Sequence, residues 1–332
     1  MYTDEDLNSA VAEGIFTKEE VSQFRKQIAS LKNTSAVDEE NFKLLSGFND
    51  IYVVIACLLL LISSSWAFRA YSETLAVLIL PLLSWGLAEF FILKRKMALP
   101  AIILLLSFVG GVFAVGLHFF QPPGEPNFIA PSALSAIATF MHWQRFRVPI
   151  TVAVGGAAII AFIISSLITI FPSLQESVSS MIFISGLLAF SYAMYWDASD
   201  LTRTSHRSDV AFWLHLISAP LIVHPVFSNL NILTGHESLY GLLTIVALYL
   251  GMTVLSIIVD RRAFMVSSLA YVLFALSSYF ETFGFIDYGF AITGTIIGSA
   301  LLLLSAFWHR TRVTLLNILP AVVSGYVPST NH

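Results

Sequence analysis

MALPAIILLLSFVGGVFAVGLHFF, from Met97 to Phe120, runs for 24 residues without an Asp, Glu, Lys or Arg. A helix of about 20 apolar residues crosses the hydrocarbon core of a bilayer. Lipid cannot hydrogen-bond an exposed backbone, so a segment of this kind has to be helical. It lacks the apolar–polar alternation of a membrane β-strand. Comparable runs lie on both sides of it. Before it come Ile51–Phe68 and Thr74–Leu93, and after it Phe128–Trp143 and Val148–Phe171. A second group follows: Val178–Trp196, Val210–Phe227, Leu239–Val259, Ala263–Phe280 and Phe285–Trp308. Phe128–Trp143 is the shortest, and Pro122, Pro123, Pro126 and Pro131 crowd its start.

The composition of all 332 residues agrees, with 57% hydrophobic, 11% charged and a mean hydropathy of +0.80. Soluble domains carry roughly 25% charged residues. So few charges cannot cover a water-soluble surface, and the apolar faces must meet lipid. The expected fold is all-α, a polytopic membrane bundle of about ten transmembrane helices. A net charge of −4 argues against nucleic acid as a partner. Cys57 is the only cysteine, which excludes an intrachain disulfide and a cysteine-based metal site. The first apolar run follows an acidic, polar segment, so no cleavable signal peptide is expected.

Orientation follows from the basic residues. Alternate connections carry Lys94, Arg95 and Lys96, then Arg145 and Arg147, then Arg203 and Arg207, then Arg261 and Arg262. The two terminal segments add Lys18, Arg25, Lys26, Lys32, Lys43, Arg310 and Arg312. Only Arg69, of 17 Lys and Arg, falls on the other side. The positive-inside rule then places both termini in the cytoplasm of a multi-pass cell-membrane protein, with a bacterial inner membrane expected. Trp66, Trp143, Trp196, Trp213 and Trp308 fall near span ends, as an interfacial belt does.

Residues 1–48 read as a separate cytoplasmic unit, 49–312 as the membrane bundle and 313–332 as an apolar, interfacial tail. Thr3 is placed to cap a helix opening with Asp4-Glu5-Asp6, and Gly14 ends it. Thr17 and Glu20 have capping-box spacing for a second helix, which Asn33 stops. Val21, Phe24, Ile28 and Leu31 form its apolar stripe, and a third short helix is expected over 38–45. A hairpin this small cannot bury its own stripe. Residues 1–33 are therefore expected to pack on another copy, a protein partner or the membrane surface.

The run Leu7-x-x-Ala10-x-x-x-Gly14-Ile15-x-Thr17-x-Glu19-Glu20 resembles helical hairpins of SHOCT-like type. Such hairpins also begin some bacterial polytopic membrane proteins built on domains of unknown function. The stretches Ser208–His215 and Ala219–Pro225 are similar to those proteins as well. The resemblance implies a hydrophobic ten-helix body and an oligomerising hairpin. It implies no activity and carries over no catalytic residue.

A direct repeat is also legible. Lys94-Arg95-Lys96 matches Asp260-Arg261-Arg262 in place, and Trp143-x-Arg145-x-Arg147-Val148 resembles Trp308-x-Arg310-x-Arg312-Val313. Residues 50–147 would then correspond to 209–312, six spans apart and in the same orientation. Basic residues after inward-going helices are expected in any such protein, so chance similarity is the competing reading.

Candidate binding residues cluster between the sixth and seventh spans: Asp197, Asp200, Arg203, His206, Arg207 and Asp209. They suit an ion-pair network or an anionic headgroup, and equally a solvated loop. The seventh span holds His215, Ser218 and His224. Ionisable groups at such positions face a bundle interior or a wet cavity. Both histidines are expected to point into the bundle or a polar cavity, on opposite helix faces. Glu89, near the end of the second span, is expected to reach the interface or pair with Lys94 or Arg95. No P-loop, H-E-x-x-H, G-x-S-x-G or dinucleotide fingerprint occurs, so no cofactor or metal is expected.

These features suit a permease- or flippase-like carrier of a small neutral or amphiphilic solute. A membrane scaffold or sensor that uses the hairpin, and an intramembrane lipid-processing enzyme, are the alternatives. Topology is open to direct measurement. Reporter fusions after Gln121, Leu174 and Asn231 should report the outside, and fusions after Lys96, Arg203 and Arg262 the cytoplasm; two reversed reporters would overturn the ten-span topology.

Overall fold

The computed structural model describes residues 4–32, 48–121, 127–201, 203, 206–230, 239–282, 288–318 and 327. The chain divides into two compact units, residues 1–41 with 329–332, and Phe42–Pro328.

In the first unit, α1 (Asp4–Ala12) and α2 (Lys18–Lys32) form a hairpin. Gly14 ends α1 at φ +72°, a left-handed conformation that glycine adopts at little cost. The capping box closes reciprocally. The Glu20 N–H donates to Thr17 Oγ1 at 3.2 Å, and the Thr17 N–H donates to Glu20 Oε2 at 2.8 Å. The bond from the Thr17 backbone, and then that from its hydroxyl, hold the Glu20 carboxyl below its ordinary value. Val21 is buried, whereas Ile15, Phe16 and Phe24 are exposed. Thr3, the side chains of Ile28 and Leu31, and the helix expected over 38–45 lie outside the described residues.

The second unit contains ten helices among the described residues. They are α3 (Phe48–Arg69), α4 (Glu73–Ala88), α5 (Ala98–Phe120), α6 (Ile129–Phe146), α7 (Ile150–Ile170), α8 (Val178–Ala198), α9 (His206–Ser228), α10 (Leu239–Val259), α11 (Ala263–Thr282) and α12 (Gly289–Ile318). A π-helical stretch, Glu89–Lys94, continues α4, and a 3₁₀ turn, Pro172–Ser177, leads into α8. Nine helices among the described residues are long and apolar enough to span a bilayer. The protein is therefore a multi-pass helical membrane protein. The helix outside that set is α6, 18 residues long. It buries Ser132, Ser135, Thr139 and His142, which dilute its apolar character. At the other end of the chain, α12 runs on through Arg312 to Ile318, past the boundary expected there, because Val313, Leu315 and Leu316 extend its apolar character.

Helices α3–α6 pack around Cys57, Leu61, Ala88, Leu104 and Phe146. A second core of Ile222, Val223, Phe227, Leu242, Ile245, Phe264 and Val272 joins α9, α10 and α11. The two sets meet chiefly where α7 packs on α9, at Ile150, Ala153, Val210, Trp213 and Leu214. Of the matched helices in the direct repeat, α5 touches α3, α4 and α6, as α11 touches α9, α10 and α12. The correspondence is incomplete, because α3 packs on α4 whereas α9 makes no comparable contact with α10.

Close approach of α8 and α9 rests on Gly186. A Cβ there would lie 2.8 Å from Ile222 Cγ1 and 2.9 Å from the Leu221 backbone carbon. Gly110 has nothing within 4 Å of the same position. Gly186→Ala should therefore destabilise the protein by about 1–3 kcal/mol, and Gly110→Ala should not. Thermal unfolding in detergent checks this, and equal melting temperatures for the two variants would contradict the packing.

Candidate functional site

Antiparallel packing of α8 on α9 brings the last turn of α8 beside the first half of α9. Asp197 Oδ2 and His215 Nε2 are 2.9 Å apart, and both side chains are buried. A third element arrives from the corner between α10 and α11. The Arg261 N–H bonds the Ser256 carbonyl at 3.0 Å, and Asp260 turns left-handed at φ +61°. This is a Schellman-type helix end with aspartate where glycine is the usual residue. The conformation aims two successive side chains inward.

Arg261 grips Asp197 with both arms, Nη2 to Oδ1 at 2.7 Å and Nε to Oδ2 at 3.3 Å. Its Nη2 also donates to Ser208 Oγ at 3.0 Å. Asp260 Oδ2 accepts from Arg203 Nη1 at 2.9 Å, and Oδ1 from Trp308 Nε1 at 3.0 Å. Arg312 Nε lies 3.6 Å from Asp260 Oδ1. Arg203 Nη2 donates to the Val259 carbonyl at 3.1 Å, so this cation also serves a helix C-terminus. Arg262 lies over the Trp308 ring, 5.0 Å from its centroid.

Five charged side chains, Asp197, Asp260, Arg203, Arg261 and Arg312, thus share one interior region, each at most 5% exposed. Taking an ion out of water costs several kcal/mol even after relaxation, and only pairing with good hydrogen-bond geometry offsets that. The geometry here meets the condition at 2.7–2.9 Å. Burial lowers the Arg203 guanidinium below its ordinary value, the Arg261 charge acts in the same direction, and Asp197 and Asp260 oppose both.

The residues expected from sequence divide. Asp197, Arg203, His215 and Ser218 are buried; the Ser218 hydroxyl donates to the His215 carbonyl at 3.1 Å. His215 Nδ1 has no hydrogen-bond partner among the described residues. Asp200 is half-buried and Arg207 exposed. His206 is exposed and faces Asp209 at 3.4 Å. Two expectations are corrected in part. His224 does not point into the core; it is exposed, with Nδ1 hydrogen-bonded to the Tyr271 hydroxyl, because α11 offers that partner at the helix surface. Glu89 pairs with neither Lys94 nor Arg95. It takes Arg145 of α6 in a two-armed bond at 2.7 and 2.8 Å, since packing in the first bundle sets the ends of α4 and α6 together.

Sequence reading left out Asp260, Arg261, Trp308 and Arg312, assigning them to ordinary basic connections and an aromatic belt. One signal was present. Asp260 is an acid where the matching connection has Lys94. Among the described residues no three His, Cys, Asp or Glu side chains are placed to hold a metal ion. Comparison with protein families, curated proteins and solved structures finds no significant match.

Removing one partner of a buried pair leaves the other charge uncompensated. Asp260→Asn should cost about 3–5 kcal/mol. Arg203→Gln combined with Asp260→Asn should cost clearly less than the sum of the single changes, with a coupling of about 0.5–3 kcal/mol. A double-mutant cycle by thermal unfolding measures this, and strict additivity would mean the pair is not coupled.

Proposed function

We propose that this protein is a permease- or flippase-like carrier of a small neutral or amphiphilic solute, and that the buried charge network is a releasable latch at its basic end. The observation that carries the reading is the division of labour around α9. Towards the basic end, the α8–α9 hairpin is tied to the α10–α11 corner and α12 by Asp197–Arg261 and by Arg203–Asp260. Farther along, Ile222, Val223 and Phe227 of α9 share an apolar core with Phe264 and Val272 of α11, on which α10 packs in turn.

The two kinds of contact respond differently to water. Separating the apolar region loses close packing between helices with nothing in return. Separated ions regain their hydration, so opening a buried ion pair can be nearly neutral. The apolar region then serves as the pivot and the charged end as the part that opens. This reading puts the basic end, with both termini, in the cytoplasm of a bacterial inner membrane, following the bias of the Lys and Arg residues.

Ser218 lies one turn past His215 and is fully buried, so a thiol there reports opening. In a Cys57→Ser background, Ser218→Cys should react slowly with a membrane-impermeant maleimide added on the basic side. Asp260→Asn should raise that rate about tenfold, the factor that 1.4 kcal/mol supplies. A charge swap, Arg203→Asp with Asp260→Arg, should bring it back down. A thiol that never reacts with the latch intact, or a rate indifferent to the latch, counts against the carrier reading.

A further inference from the structure

The basic end of the first bundle is built differently from that of the second. Lys94, Arg95, Lys96 and Arg147 are all exposed there. The Glu89 charge is taken up by Arg145, and Asp50, at the start of α3, is buried. That leaves four outward cations opposed by no exposed, unmatched carboxylate among the described residues of α4, α6 and their ends. In the second bundle the residues at matching sequence positions, Asp260, Arg261 and Arg312, turn inward and neutralise one another.

The four cations sit at neighbouring helix ends. Phe91, Ile92, Phe146 and Val148 pack against a common cluster, and Glu89 reaches Arg145, so the end of the α4 span lies near the end of α6. The Glu89–Arg145 bond fastens them. Local backbone geometry presents the charges. The last six residues of the α4 span form a π-helical stretch, a feature that recurs at functional sites. Lys96 and Arg147 are left-handed at φ +52° and +55°, where glycine would be less strained. Aromatic rings stand beside the charges. Phe90 is 5.9 Å from Lys94 Nζ and 5.7 Å from Arg95 Cζ, and Trp143 is 5.9 Å from Arg147 Cζ. Phe90 itself is exposed.

We infer that the basic end of α4 and α6 binds the phosphodiester headgroup of an anionic phospholipid. The cations sit where two membrane helices end, at the level of the headgroup layer. Guanidinium and ammonium groups meet phosphate by charge-assisted hydrogen bonds. An exposed ring beside them suits the junction of headgroup and acyl chain, where amphipathic aromatics collect. Pairing of Glu89 with Arg145 removes the nearest negative charge that would repel the phosphate.

The inference goes beyond the carrier reading and is tested without it. The full chain, purified in a zwitterionic detergent, is titrated with phosphatidylglycerol and with phosphatidylcholine, and bound lipid is counted by native mass spectrometry. Each basic residue near an anionic surface contributes about fivefold in affinity, roughly 1 kcal/mol. Lys94→Gln combined with Arg147→Asn, which keeps a residue tolerant of the left-handed conformation, should lower phosphatidylglycerol binding by about tenfold or more. Phosphatidylcholine binding and melting temperature should not change. Arg310→Gln removes an exposed cation from the same end of the second bundle and should have little effect. An equal loss with Arg310→Gln would mean a diffuse basic surface and overturn the site. Displacement of the lipid by millimolar inorganic phosphate would mean that the cations hold a soluble anion, and would overturn the lipid assignment. Neither result bears on Ser218 labelling, so the two readings fail separately.

Discussion

Two aspartates removed from water, Asp197 and Asp260, fix the arrangement at the basic end of the second bundle. A buried carboxylate is tolerable only if positive partners reach it with good geometry. Those partners come from the α8–α9 connection, the α10–α11 corner and the last turns of α12. Each element must present its guanidinium within reach of a carboxylate, which couples the α8–α9 connection, the α10–α11 corner and α12 to one another. The left-handed turns at Arg203 and Asp260, φ +52° and +61°, belong to the same constraint. At Arg203 and Asp260 the strained conformation is accompanied by a buried ion pair between the two side chains.

The apolar parts of the molecule answer to a different rule. In lipid there is little hydrophobic force between helices, so contact depends on close packing of small groups. Gly186 against α9, and Gly116 against Pro131, where a Cβ would lie 2.5 Å from the Pro131 Cα, are approaches of that kind. Such contacts make rigid pairs. Where α7 meets α9, the buried residues are Ile150, Ala153, Val210 and Leu214, in the half of each helix nearer the charge network. The molecule therefore combines tightly packed helix pairs with one end whose closure is electrostatic.

The same sequence positions serve opposite ends in the two bundles. Lys94 stands where the matching connection has Asp260; residues 94–96 are exposed, whereas Asp260 and Arg261 are buried. With no acid to receive them, Lys94, Arg95 and Lys96 have their most favourable partners outside, in water and lipid headgroups. With Asp260 and Asp197 available, Arg203, Arg261 and Arg312 find theirs inside.

What the sequence determined by itself was set by local chemistry and the solvent. Long apolar runs in a bilayer must be helices, and the positions of α3–α12 follow from that. The Thr17–Glu20 capping box was legible because its partners are three residues apart. Asp197, Arg203 and His215 stood out as polar groups beside or within apolar runs, but their arrangement did not. The contacts that bury them join residues 18, 57 and 64 positions apart, and no periodicity or spacing encodes such pairs. Glu89 was expected at the interface or paired with Lys94 or Arg95, and it took Arg145, 56 residues away, because helix packing brought that guanidinium to it. His224 was expected in the bundle or a polar cavity and lies outside the core beside Tyr271, since the rotation of α9 is fixed by the apolar residues around it and by its contacts with α8 and α11. Burial and pairing of charge are properties of the assembled bundle, and only the tertiary structure decided them.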